Sequence, residues 1–101
     1  MAAALTLDLF RPLVGRAFRI PDADGVELRL SAAEPLPARK PASAVAAPLR
    51  APFELIFLGP KTPILPQMIH RMEAEGVESM EIFIVPIGPI EDAMGYQAIF
   101  N

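Results

Sequence analysis

Apolar and polar residues alternate in two short runs near the start of the chain. Arg16-Ala17-Phe18-Arg19-Ile20 sets Phe18 and Ile20 on one side and Arg19 on the other, and Val26-Glu27-Leu28-Arg29-Leu30-Ser31 repeats the pattern. A period of two marks a strand with one buried face. Pro21-Asp22-Ala23-Asp24-Gly25 lies between them and supplies turn residues, so the stretch predicts a β-hairpin. Three further runs read as strands. Phe53-Glu54-Leu55-Ile56-Phe57-Leu58 is closed by Gly59-Pro60, and Gly95–Asn101 places Tyr96, Ala98 and Phe100 on one face. Between them, Met80–Pro89 is the densest run of β-branched and aromatic residues. Pro86 has no N–H to donate, so this strand is expected to be central up to Val85 and edge-like or bulged beyond it. Gly88–Met94 reads as the connection that returns the chain antiparallel.

Two segments follow other patterns. Thr6 precedes Leu7-Asp8-Leu9-Phe10 and can cap a short helix, with Asp8 in the first turn, where the helix dipole favours a negative charge. Leu9 and Leu13 share a face; Pro12 limits the helix to about a turn and a half, followed by a tighter turn ending at Gly15. Such an element is a lid or plug for a core elsewhere. Residues 34–52 hold five prolines among small side chains and predict a long surface connection.

Residues 66–75 support two readings. Pro66 at the first helical position, Gly76 just past the end, and Met68, Ile69 and Met72 on one face favour a helix. A strand here would instead pair with the Met80 run through a turn at Gly76-Val77.

The pattern as a whole predicts one β-rich domain over 1–101: all-β, with about six antiparallel strands as a small barrel or bent sheet and one short N-terminal helix covering one end. The inner face would hold Phe18, Ile20, Val26, Leu28, Leu30, Phe53, Leu55, Phe57, Ile82 and Ile84. Three strands are apolar on their second face as well, through Ile56, Leu58, Phe83, Val85, Ile87 and Ile99. One short helix cannot cover that surface, and an uncovered apolar patch of several hundred Å2 usually marks an interface.

Composition narrows the chemistry. The 101 residues are 52% hydrophobic but only 7% aromatic, so the core is mainly aliphatic, and the absence of cysteine excludes disulfides and thiolate chemistry. Residues 1–52 carry seven basic and five acidic side chains, and 53–101 two basic and seven acidic. An acidic second half argues against nucleic-acid binding. No window approaches a membrane span and the first residues lack a secretion pattern, so a cytoplasmic protein with no membrane partner is expected.

Candidate catalytic patterns fall short. His70 is the only histidine, and no serine lies in a nucleophile-elbow context; beside Arg71 and Glu73 it reads as a surface or edge-strand residue. Glu73, Glu75, Glu78 and Glu81 cluster around a turn as solvated acids. Gly59-Pro60-Lys61-Thr62 lacks the glycine pattern of a phosphate loop, and Asp22-Ala23-Asp24-Gly25 is too short for a calcium loop. No catalytic residue, metal or cofactor is assigned. Met68, Met72, Met80 and Met94 read as core filler before adaptable surface.

Several runs together carry a family resemblance: Leu5-Thr6-Leu7 with Phe10 and Pro12–Phe18, Pro52–Pro60, Pro66-Gln67, Glu81–Pro89 and Tyr96–Asn101. The chain resembles a family of small bacterial domains of unknown function. The resemblance covers nearly the whole chain, is loosest in the Pro/Ala segment and implies an extended run after Pro66-Gln67. It brings no catalytic residues, and its faint link to fibre-like proteins implies an accessory role beside a larger fibre-like or secreted partner. The residues themselves point first to a non-catalytic structural or interaction module that self-associates through the second face of its sheet, with a homo-oligomer or another protein as partner. The alternative is a small ligand-binding barrel or enzyme with a pocket near Tyr96 and His70.

Overall fold

The computed structural model describes residues 5–36 and 52–100. A short helix α1 (Leu7–Phe10) runs into a 3₁₀ turn at Arg11–Leu13, followed by six strands: β1 (Ala17–Ile20), β2 (Val26–Pro35), β3 (Phe53–Gly59), β4 (Met68–Ala74), β5 (Val77–Ile90) and β6 (Ala93–Phe100). All pairings are antiparallel, and the strands close into a barrel in the order β1-β2-β3-β6-β5-β4. Closure pairs β1 with β4 at Arg19 and Glu73, so every strand has a neighbour on both sides along part of its length.

The first hairpin forms as its alternation predicts, with Phe18 opposite Leu28 and Ile20 opposite Val26. A 3₁₀ turn at Pro21–Ala23 and left-handed Asp24 reverse the chain between them. β2 continues past its predicted end at Ser31. A register shift between Leu30 and Ala32 takes up one residue, and the strand pairs with β3 as far as Pro35 opposite Phe53. The connection predicted over 34–52 therefore begins later than expected. Its ends are held together by the Leu36 N–H donating to the Pro52 carbonyl at 3.0 Å, and residues 37–51 lie outside the described residues.

The ambiguous segment is a strand. His70 faces Ile82 and Met72 faces Met80 across β4 and β5. Gly76, at φ +78, supplies the left-handed turn between them. A helix over these residues would satisfy its own backbone but leave β5 without a neighbour along Val77–Ile84. The ladder and the burial of Met72 and His70 together outweigh local helix propensity.

The expected connection over Gly88–Met94 is mostly strand. β5 runs on to Ile90 and β6 begins at Ala93, leaving Glu91-Asp92 as the turn. Pro86 does mark a bulge, as a register shift between Pro86 and Gly88. The forecast of a central strand up to Val85 needs correction, however. β5 pairs with β4 over Val77–Ile84 and with β6 over Val85–Ile90, so it changes neighbour at its midpoint.

The predicted inner-face residues are buried, except that Val26 is only partly so. They are joined by Tyr96, Ala98 and Phe100 from β6, by Met72, Met80 and Met94, and by Leu65 from the β3–β4 connection. The helix acts as the plug anticipated from sequence. Thr6 Oγ1 accepts the Leu9 N–H at 3.2 Å, and Phe10 lies with its ring 5.9 Å from Phe53 and 5.8 Å from Phe100. Those two rings stack on each other at 4.6 Å, so three aromatic side chains close one end of the barrel. Gly59 points into the barrel, where a Cβ would lie 2.4 Å from a Leu28 methyl, so close packing requires glycine there.

Candidate functional site

The outer surface of the barrel carries the apolar residues singled out from sequence. Phe83, Ile87 and Ile99 are 48%, 46% and 53% exposed, while Ile56, Leu58 and Val85 are half-buried. Strand pairing explains how they come together. Val85 lies opposite Gln97, and Gln97 opposite Ile56, giving one row across β5, β6 and β3. Phe83 and Ile99 stand two residues from Val85 and Gln97 on the same outward face. Leu58 lies opposite Gly95, at the other end of the β3–β6 ladder.

One member escaped sequence reading. Ile69, 56% exposed, faces Phe83 directly across β4 and β5, which extends the strip by a strand. The signal was hidden because a helical reading of residues 66–75 put Ile69 on the same face as Met72, whereas the strand sends the two to opposite sides. The strip is not wholly apolar. Gln97 Nε2 donates to Glu54 Oε1 at 3.0 Å within it. One row beyond the Ile69–Phe83 pair, Arg71 faces Glu81.

The two polar residues proposed for an interior pocket have structural partners. Tyr96 is fully buried, and its hydroxyl accepts the Leu65 N–H at 2.9 Å. His70 was expected at the surface; it is instead 7% exposed, because the alternation of β4 turns it inward with Met72. Its Nε2 lies 2.9 Å from the Pro66 carbonyl oxygen, which can only accept, so that nitrogen carries the proton. Both side chains thus tie the β3–β4 connection to the barrel.

Among the described residues, two clefts lie elsewhere. One, of about 620 Å3, separates α1 from the start of β5 and is lined by Leu5, Leu9, Arg71 and residues 76–81. The other, of about 630 Å3, follows the seam where β1 meets β4. That seam is closed by the Arg19–Glu73 pairing, whose side chains form an ion pair at 2.9 Å, and by Arg16 donating to the Glu75 carbonyl at 2.7 Å. Neither cleft is lined by Tyr96 or His70. Among the described residues, no three metal-ligating side chains converge, and no helix is long and apolar enough to cross a membrane.

No curated protein and no solved structure matches the chain at a significant level. The runs that carry the resemblance noted above lie, but for Asn101, within a stretch matched by one family model, over residues 5–100, and the chain belongs to that family, described as a domain of unknown function (DUF6916).

Proposed function

We propose that this domain is a non-catalytic interaction module that self-associates through the outer apolar face of its barrel. The observation that carries the reading is the strip running from Ile69 and Phe83 on β4 and β5 to Ile99 on β6, each about half exposed. A half-exposed Ile or Phe presents roughly 100 Å2. With Ile87 and the half-buried Ile56, Leu58 and Val85, the strip amounts to roughly 400–600 Å2. That matches the apolar share of one protomer's side of a standard homodimer interface, about 65% of about 800 Å2.

A second copy suits the rim. Arg71 and Glu81 face each other at the edge of the strip, so a two-fold axis can set the Arg71 of each copy against the Glu81 of the other. Sedimentation equilibrium tests the reading. The wild-type chain should form a dimer with dissociation constant on the order of micromolar, and Ile69→Lys/Phe83→Lys should be a folded monomer. A wild-type chain that stays monomeric at roughly 100 µM would refute it.

A further inference from the structure

We infer that the free backbone edge of β5 along Val77–Glu81, facing the cleft beside α1, is a docking site for an extended basic peptide segment of another protein. The strand pairs with β4 from Val77 to Ile84, but its ladder with β6 begins only at Val85 opposite Gln97. Among the described residues, no strand pairs with the other edge of Val77–Ile84. The cleft of about 620 Å3 follows this edge. Its lining includes residues 76–81, where a register shift puts one extra residue of β5 between Val77 and Met80 and turns Glu78 and Ser79 both to the outside.

The chemistry of the edge suits strand addition, in which backbone hydrogen bonds hold the ligand and alternate side chains select it. Both prolines of β5, Pro86 and Pro89, lie in the half that pairs with β6, so every residue of Val77–Glu81 keeps its N–H. A five-residue edge spans about 17 Å and would pair with a segment of similar length. Because the extra residue breaks the alternation, Val77 and Met80 both turn toward the core and, with Leu5 and Leu9, offer an apolar lining for one set of side chains, while Glu78 and Glu81 are both exposed and favour Lys or Arg in the other. Among the described residues, Arg71 is the one cation of the lining, and it already faces Glu81 across the β4–β5 ladder. Two copies of this chain joined edge to edge would bring the Glu78 and Glu81 of each onto a single ladder, and like charges at such spacing repel. The carboxylates thus guard the edge against its own kind while attracting a basic strand.

A hexapeptide of three Lys-Val repeats, blocked at both ends, is the probe, titrated into 15N-labelled full-length protein and followed by amide shifts. The amides of Ser79, Met80 and Glu81 should shift together. The Glu-Val counterpart should bind at least tenfold more weakly, and Glu78→Lys, an exposed substitution that leaves the circular dichroism unchanged, should weaken the Lys-Val peptide at least fivefold. Of two peptides N-methylated at odd or at even positions, one should lose binding and the other keep it, because only one edge of the ligand enters the ladder. Shifts centred away from β5, equal binding of the acidic peptide, or N-methylated peptides that bind or fail alike would overturn the proposal.

Discussion

Replacing Tyr96 with Phe tests how the β3–β4 connection is held. The ring is fully buried and stays so in the variant; only the hydroxyl is lost, and with it the acceptor 2.9 Å from the Leu65 amide. Leu65 is itself buried, so water does not readily replace the missing oxygen. A buried N–H left without a partner costs about 1–3 kcal/mol, and the void of one oxygen is too small to hold a water molecule. The expected loss is therefore about 2 kcal/mol, or roughly 8–16 °C in Tm for a domain of this size. Tyr96 is the only tyrosine and the chain has no tryptophan, so urea unfolding should be followed by circular dichroism rather than fluorescence. The midpoint should fall with an unchanged slope, and hydrogen exchange at the Leu65 amide should accelerate more than at the β3 and β6 ladders. A loss below about 0.5 kcal/mol with Leu65 still protected would show that the hydroxyl does not anchor the connection.

Two further substitutions probe the plug and the packing. Phe10→Ala removes the ring lying against Phe53 and Phe100 and should cost about 3–5 kcal/mol in urea unfolding, leaving those two rings stacked over an opened barrel end. Gly59→Ala drives a Cβ to 2.4 Å from a methyl of fully buried Leu28 and should cost about 1–3 kcal/mol by the same measurement, whereas alanine at exposed Ser79 should change stability by less than about 0.5 kcal/mol.

The elements that could be read directly are those in which local pattern and burial agree. Phe18, Ile20, Leu28 and Leu30 alternate with charged residues, and that alternation is enough to place the hairpin and its inner face. Thr6, Asp8 and Pro12 likewise delimit a helix too short to stand alone, which then needs a core to plug. Residues 66–75 were not legible because two periodicities fit them equally well. Only the neighbouring β5 ladder decides between them, and with that decision Ile69 moves from a helix face to the outer strip and His70 from the surface to the interior. The turn between β5 and β6 was misplaced for a related reason. Gly88 and Pro89 carry a loop signal, yet a bulge at Pro86–Gly88 lets them stay in the ladder opposite Gly95 and Met94.

The sequence by itself determined that this protein is β-rich, that its core is mainly aliphatic with a short helix as its plug, and that Ile56, Leu58, Phe83, Val85, Ile87 and Ile99 lie outside that core. These follow from side-chain type and a period of two, which are local properties. Tertiary structure alone decided that the sheet closes and that β5 changes neighbour at Val85, leaving an edge beside α1. Barrel closure and strand exchange depend on which backbones meet across long separations in sequence, and alternation within one strand carries no record of its neighbour.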